Sequence, residues 1–96
     1  MKFGEMIEII RDGHRRAARK GWNGKSMYIY VEIGQTIKYD TLRDPLKTWL
    51  TSHISPPGYD MNTLPHFNMF TADKKFLIGW TANQLDMLSD DWEILD

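Results

Sequence analysis

The residues best suited to chemistry lie in segment 18–27, ARKGWNGKSM, where one tryptophan stands between glycines and among bases. The flat ring of Trp22 can stack on a nucleotide base, and cationic side chains beside it can bind phosphates. The bases are Arg19, Lys20 and Lys25. The Asn23-Gly24 pair that follows is also among the strongest short-range signals of a tight hairpin turn. A turn with a core tryptophan and a turn that binds an anionic aromatic ligand both fit this segment.

The C-terminal residues supply groups that would complement such a site. They are Trp80, Asn83, Gln84, Asp86 and Asp90. Amides can hydrogen-bond the edge of a base, and carboxylates can accept hydrogen bonds from ribose hydroxyls. A structural explanation fits as well: Asn83 caps a helical turn, Asp90 and Asp91 are solvated, and the neighbouring apolar residues fill the core. Those apolar residues are Leu85, Met87 and Leu88.

No residue pattern indicates catalysis or a metal centre. The chain has no cysteine, and its three histidines lie far apart without the spacing of metal ligands. Its serines lie in no nucleophile-elbow pattern, and the sequence has no glycine-rich phosphate loop. We therefore expect a binding protein without enzymatic activity, metal or cofactor. An enzyme that hydrolyses its ligand is the less favoured alternative.

Charge is distributed unevenly along the chain, although the net charge is -1. Residues 1–25 carry seven bases against three acids, whereas residues 76–96 carry five acids and no base. One explanation is that the two ends lie near each other and neutralise. The other is that the bases form a patch for an anionic ligand.

Hydrophobic periodicity predicts the elements that position these residues. Apolar residues recur at helical spacing in segment 3–10, and Gly13 follows as a stop signal, which predicts a short amphipathic helix. Alternation predicts strands at 14–20 and 27–33, joined as a hairpin through the Asn-Gly turn. One face of the second strand carries Met27, Ile29, Val31 and Ile33, and the other carries Tyr28, Tyr30 and Glu32.

The rest of the chain predicts a mixed fold. The further predicted elements are a short helix at 46–50 after Asp44-Pro45, a turn at 55–60, a hairpin of strands at 66–71 and 76–80, one helical turn or a tight loop at 82–88, and a last strand at 92–95. The fold class is α+β, with a small antiparallel sheet of about five strands and an N-terminal amphipathic helix. Residues 35–64 lack strict periodicity and form an insertion within a single domain, 1–96.

Size and hydropathy predict a self-associating cytoplasmic protein. A domain of 96 residues buries only about 60–65% of its unfolded surface, and one helix leaves the second face of the sheet and its edges exposed. No apolar run approaches the roughly 18 residues of a membrane span. Glu5 and Glu8 interrupt what would be the apolar region of a signal peptide. We expect a homo-oligomer with no membrane or DNA partner.

Two motifs resemble those of a known family. The first is the ARKGWNG turn, and the second is a W-x-x-x-Q-x-D-M-L-x-x-D-W close. The second is carried by Trp80, Gln84, Asp86, Met87, Leu88, Asp91 and Trp92. Together they resemble the Thoeris anti-defense 2-like family of phages and prophages. The resemblance covers about two thirds of the chain and leaves 35–64 as the part that varies in length and sequence.

The resemblance implies a small α+β homotetramer that sequesters a cyclic ADP-ribose-type signalling nucleotide. The Toll/interleukin-receptor-domain sensor of the bacterial Thoeris system makes this signal, and its removal in the host cytoplasm leaves the downstream effector inactive. Some relatives also hold cyclic oligonucleotides at a separate site. The implied ligand-binding residues are Arg19, Trp22, Asn23 and Met27 from the first motif, and Trp80, Asn83, Gln84 and Asp86 from the second. The alternative function is an interaction protein that directly blocks a host defence protein through its aromatic surface.

Overall fold

The computed structural model describes residues 1–52 and 59–96, without the side chains of Asn23 and Ser52. The backbone falls into two compact units, Met1–Ile33 with Pro65–Asp96 and Gly34–Leu64. The second unit spans nearly the same residues as the predicted insertion. No helix in the described ranges is long and apolar enough to cross a membrane.

The N-terminal helix α1, Phe3–Ile10, confirms the predicted amphipathic helix. Met6 and Ile10 lie on its buried face and are fully inaccessible to solvent. The helix ends at the predicted stop signal, where the Gly13 N–H donates to the Ile10 carbonyl at 3.0 Å. Gly13 has a φ of +84°, and a Cβ there would approach the Val31 carbonyl oxygen to 3.2 Å. Glycine is therefore required where the chain turns back towards the sheet.

The first unit contains the predicted five-stranded antiparallel sheet. Its strands are β1 Arg16–Arg19, β2 Tyr28–Glu32, β5 His66–Phe70, β6 Phe76–Ile78 and β7 Trp92–Leu95. Their spatial order is β6-β5-β2-β1-β7, so β6 and β7 form the two edges. A short helix, α3 at Gln84–Leu88, precedes β7. Both predicted hairpins and the α+β class are confirmed.

The two faces of this sheet differ in what covers them. The inner face packs against α1 and holds most of the core: Ala17, Ile29, Val31, Met69 and Trp92. Alternation along the strands places Arg16, Tyr28, Tyr30, Phe70, Phe76 and Ile78 on the opposite, outer face. The outer-face aromatic residues are only partly buried or exposed. One eight-residue helix covers one face of the sheet, as the sequence predicts.

The connection between β1 and β2 differs from the predicted two-residue turn. The Asn-Gly pair lies inside a 3-10 helix, Lys20–Lys25, and Ser26 then takes the left-handed conformation with a φ of 57°. The prediction of a tight Asn-Gly turn is therefore wrong, although β1 and β2 do pair as a hairpin. The physical reason is Trp22, whose ring packs on the core from this helix. Burial of a tryptophan ring outweighs the local preference for a tight turn.

The second unit has a small sheet that sequence reasoning missed. Strand β3, Thr36–Ile37, pairs with β4, Met61–Asn62, and a 3-10 helix follows β3 at Tyr39–Thr41. The predicted helix is confirmed as α2, Leu46–Ser52, with the Asp44 carboxylate accepting the Thr48 N–H at 3.1 Å. The predicted turn at 55–60 lies largely outside the described residues. Two-residue strands carry too little alternation to be recognised from the sequence.

Candidate functional site

Three tryptophans from separate segments form one cluster, which we call the tryptophan cluster: Trp22, Trp80 and Trp92. The Trp22 ring lies 5.2 Å from Trp92 and 6.2 Å from Trp80, edge to face in both cases. Trp92 is 1% exposed, whereas Trp22 and Trp80 are partly exposed. Trp22 therefore packs against the core while part of its side chain stays exposed to solvent.

A left-handed glycine directs Trp80 into this cluster. Gly79 has a φ of +82°, and its N–H donates to the side-chain oxygen of the fully buried Asn68 at 3.1 Å. The Trp80 N–H then donates to the Phe67 carbonyl at 2.8 Å. The chain therefore leaves β6 with a fixed bend that places the Trp80 ring 6.2 Å from the Phe67 ring on the inner side.

Beside the tryptophan cluster, Arg19 binds two carboxylates. Its Nη1 lies 3.1 Å from an Asp86 oxygen, and its Nε lies 3.0 Å from an Asp91 oxygen. The Arg19 side chain is 24% exposed and that of Asp86 only 9%. The hydrogen bond to Asp91, followed by that to Asp86, raises the pKa of Arg19 above its ordinary value. Arg19 therefore stays charged and holds the segment around α3 against β1.

Asn83 and Asp86 close the first turn of α3 in a reciprocal pair. The Asn83 side-chain oxygen accepts the Asp86 N–H at 2.8 Å, and an Asp86 carboxylate oxygen accepts the Asn83 N–H at 3.0 Å. The Asp86 carbonyl also accepts the indole N–H of Trp92 at 2.7 Å. The predicted capping role of Asn83 is confirmed. The expectation that the apolar residues of this turn fill the core is wrong, because Leu85, Met87 and Leu88 are 73%, 45% and 81% exposed.

The structure gathers most of the predicted ligand-binding residues into one corner of the first unit. Asp86 is hydrogen-bonded to both Arg19 and Asn83, and Trp22 contacts Trp80. The Met27 N–H donates to the Trp22 carbonyl at 3.4 Å, and its side chain packs against the core. Gln84 is exposed at the first position of α3. The side chain of Asn23 lies outside what the structure describes. Contact of these residues with a ligand stays a prediction.

The predicted neutralisation of the two ends of the chain is confirmed. Arg19 pairs with Asp86 and Asp91, and Arg16 pairs with Asp96. The N-terminal ammonium donates to the carbonyls of residues 90 and 92, at 3.0 and 2.6 Å. Two bases beside the tryptophan cluster, Lys20 and Lys25, are exposed and form no ion pair within the described ranges. These lysines are the part of the basic N-terminal segment that remains available to an anion at this corner.

A second group of aromatic and basic residues, which sequence reasoning missed, lines a cavity on the outer face. This outer-face cavity has a volume of about 240 Å³ and is lined by Gly13, His14, Arg15, Arg16, Tyr28, Tyr30 and Phe76. The Arg16 guanidinium lies 4.7 Å from the centre of the Tyr28 ring, a cation–π contact. The sequence signal that could have indicated this group is the Tyr-x-Tyr pattern of β2. Only the pairing of Arg16 with Tyr30 in the sheet shows that basic residues lie beside these tyrosines.

The outer-face cavity and a second cavity of the first unit are lined by residues outside the tryptophan cluster. Besides the outer-face cavity, one cavity of about 330 Å³ lies between α1 and the start of β5, lined by Ile7, Arg11, Val31, Pro65, His66 and Phe67. None of the predicted ligand-binding residues lines either of them. Among the described residues, no group of three or more histidine, aspartate or glutamate side chains could hold a metal ion.

Comparison with known proteins agrees with the motifs. The family model of the Thoeris anti-defense 2-like domain matches residues 1–95. The chain is also similar to Thoeris anti-defense 2 of Bacillus phage SP01, with 30% identity over 95 residues that cover 99% of this chain and 94% of the relative. The matched range therefore spans both units of the chain. On this basis the chain belongs to the Thoeris anti-defense 2-like family.

Proposed function

We propose that the protein binds and sequesters a cyclic ADP-ribose-type signalling nucleotide, so that the bacterial Thoeris effector stays inactive. Family membership supports the broader role, that of a phage anti-defence protein directed against Thoeris in the host cell. The observation that carries the narrower proposal is the contact between Trp22 and Trp80, each partly open to solvent, beside two lysines that form no ion pair with any described residue. Aromatic faces suit an adenine ring, and lysines suit its phosphates.

The ion pairs of Arg19 assign different tasks to the charged residues of this corner. Two carboxylates bind Arg19 and more than offset its charge, so it offers little net attraction to a phosphate. Lys20 and Lys25 are exposed without a carboxylate partner in the described ranges and attract anions more strongly. In this proposal Arg19 and Asp86 hold the first turn of α3 in place, and the two lysines bind the phosphates. Asn83 and Gln84, at the start of α3, then lie where an amide can reach a base or a ribose.

Sequestration requires binding without turnover. A sponge works when its sites outnumber the signal molecules and its dissociation constant lies well below the signalling concentration. Roughly nanomolar affinity, about -12 kcal/mol, is the appropriate scale. Two aromatic faces, two cations and several hydrogen-bonding groups provide the kinds of contact that such affinity needs.

We propose a homotetramer with the ligand held between subunits. A nucleotide reaches high affinity when most of its surface is buried. The predicted residues line neither the outer-face cavity nor the cavity between α1 and β5, and Leu85 and Leu88 beside them are more than 70% exposed. A second subunit over this corner would cover these leucines and close the site. The outer-face cavity, with its bases and tyrosines, is the candidate for the second nucleotide site that the family resemblance implies.

One experiment separates a sponge from the other functions. The protein is incubated with the Thoeris signal and filtered, and the retained complex is heat-denatured so that the released nucleotide can be analysed by liquid chromatography and mass spectrometry. Intact nucleotide in the released fraction is the expected result. An altered nucleotide would identify an enzyme instead. A signal that stays in the filtrate would contradict binding altogether.

Exposed lysines allow the site to be tested without disturbing the fold. We expect the double variant Lys20→Ser with Lys25→Ser to bind the signal at least tenfold more weakly, because it removes the cations available to phosphates. The matched control is Arg43→Ser with Lys74→Ser, two exposed bases from the second unit and the β5–β6 turn. Isothermal titration calorimetry measures both. Equal affinities of the two variants would place the phosphates elsewhere.

The alternative function, direct blocking of a host defence protein, is favoured by one observation. The outer face presents partly exposed aromatic side chains, Tyr28, Tyr30 and Phe70, which are frequent in protein interfaces. In that case, the signal would remain in the filtrate while Thoeris activity in cells was still suppressed. Substitution of Tyr30 by serine, and not of the two lysines, would then restore Thoeris activity.

A further inference from the structure

Strand β6 differs from the other strands of the five-stranded sheet. All three of its residues are exposed, with Phe76 at 55%, Leu77 at 48% and Ile78 at 63%, whereas each of the other four strands has at least one buried residue. The strand lies at an edge of the sheet and carries no charge and no proline. Edges of this kind pair with other strands unless charge, proline or a bulge protects them. An exposed apolar edge therefore needs a partner.

The backbone of β6 shows which groups face that partner. The Thr71 N–H donates to the Lys75 carbonyl at 2.8 Å, just before the paired residues of β5 and β6. Bonded and non-bonded pairs alternate in antiparallel strands, so the N–H and C=O of Leu77 point towards Met69 of β5. Those of Phe76 and Ile78 point to the free side. Within the described ranges no strand pairs with that side.

We propose that β6 pairs antiparallel with β6 of a second copy, around a two-fold axis at Leu77. This pairing rests on the proposed homo-oligomer and identifies one of its interfaces. Phe76 of each copy then faces Ile78 of the other in a bonded pair, which satisfies four outward backbone groups on each side. Leu77 faces itself across the axis. Lys75 faces Gly79 of the second copy, so the Lys75 side chains of the two copies do not lie opposite each other.

A second copy fits this edge because the three residues are complementary to themselves in this register. Apolar side chains meet apolar side chains on both faces, and no like charges lie opposite each other. The pairing joins two sheets into one of ten strands and brings the outer-face aromatic residues of both copies, Tyr30, Phe70 and Phe76, onto one continuous surface. An isologous contact of this kind closes as a dimer and does not extend into a filament.

The size of the contact indicates its place in the assembly. At roughly 200 Å² for each large side chain, the exposed parts of Phe76, Leu77 and Ile78 amount to roughly 300 Å² per copy. A stable interface buries about 800 Å² per partner. The edge pairing therefore sets the geometry of a pair, and a second contact supplies the remaining burial. Two such pairs, packed through their exposed surfaces, account for four copies.

Cysteine cross-linking tests the register directly, because the chain has no cysteine of its own. Cα atoms of a facing non-bonded pair lie about 4.5 Å apart, within the range that a disulfide spans. We expect Leu77→Cys to form disulfide-linked dimers in more than half of the protein under mild oxidation, measured by non-reducing electrophoresis. Phe76→Cys alone should stay at the level of the control Glu8→Cys, which is exposed on α1.

A mixed sample makes the test independent of any single variant. Co-refolded Phe76→Cys and Ile78→Cys chains should cross-link with each other, because the proposed register places these residues opposite each other. If Phe76→Cys links to itself and Leu77→Cys does not, the register is overturned. If neither Leu77→Cys nor the mixed sample links above the control, the edge pairing is overturned. Nucleotide retention is measured on the same samples. If cross-linking is absent but the nucleotide is retained, only the proposed pairing is contradicted. If cross-linking occurs but the nucleotide is not retained, only the proposed function is contradicted.

Discussion

The inner and outer faces of the five-stranded sheet are both rich in aromatic residues, but they differ in how completely those residues are buried. On the inner face Trp92 is 1% exposed and contacts Phe3, Trp22 and Trp80. On the outer face Tyr28 stacks on Phe70 at 5.1 Å, and Phe70 lies 5.2 Å from Phe76, yet Phe76 is 55% exposed. Aromatic rings thus contact one another on both faces, but a helix covers only the inner face.

The difference shows that aromatic content by itself does not identify a core. A strand alternates its side chains between two faces, so two faces of similar composition arise from one sequence pattern. An eight-residue helix can cover only one of them. The inner face therefore stabilises the fold and supports the candidate ligand site, whereas the outer face and the edge at β6 remain available for association.

The largest expected effect is that of removing the central inner tryptophan. Trp92→Ala should lower the free energy of unfolding by about 3–5 kcal/mol, because it leaves a cavity among Phe3, Trp22 and Trp80. The outer-face counterpart Tyr28→Ala should cost about 1 kcal/mol, because its ring is already partly exposed. Urea unfolding of both variants measures the two losses. Equal losses would mean that the outer face is as well covered as the inner one.

The next largest effect is expected for the ion pair between Arg19 and Asp86. Asp86→Asn should destabilise the protein by about 2 kcal/mol, because the Arg19 guanidinium loses a charged acceptor at a site that is only 9% exposed on the carboxylate side. A double-mutant cycle with Arg19→Gln should give a coupling energy of about 1 kcal/mol or more. A coupling near zero would show that the two side chains act independently.

A smaller effect on stability, with a larger one on association, is expected at the exposed edge. Phe76→Ser should change the free energy of unfolding by less than about 1 kcal/mol, since the ring is half exposed. It should also shift the sedimentation coefficient towards smaller species. Phe67→Ser, whose ring packs against the inner core, serves as the contrast and should mainly lower stability. If Phe76→Ser unfolds as easily as Phe67→Ser, the edge belongs to the core.

The smallest effect compares two arginine–aspartate pairs. The Arg16 and Asp96 side chains are 40% and 87% exposed, against 24% and 9% for Arg19 and Asp86. Asp96→Asn should therefore change stability by less than about 0.5 kcal/mol, and salt should remove even that difference. Thermal unfolding at low and high ionic strength is the measurement. A salt-insensitive loss as large as that of Asp86→Asn would contradict the distinction between the faces.

Elements with long, regular periodicity could be predicted from the sequence. The helix at α1, the strand β2 and the second hairpin follow from apolar spacing, and Asn83 was correctly predicted as a possible cap. The two-stranded sheet of the second unit and the 3-10 helix after β1 were not predicted, because short elements carry little local signal. Burial of Leu85 and Leu88 was predicted wrongly, because spacing cannot show how much neighbouring structure exists to cover a helical turn.

The sequence by itself determined the α+β class, the order of the elements in the first unit, and membership of the Thoeris anti-defense 2-like family, because these depend on periodicity and motifs that are local along the chain. Only the tertiary structure decided that Trp22 and Trp80 lie together, that Arg19 is bound by Asp86 and Asp91, and that β6 is an exposed edge. The ring contact and the ion pairs join residues more than 50 positions apart, and the pairing of strands decides which of them lies at an edge. No local pattern carries that information, since only packing brings those segments into contact.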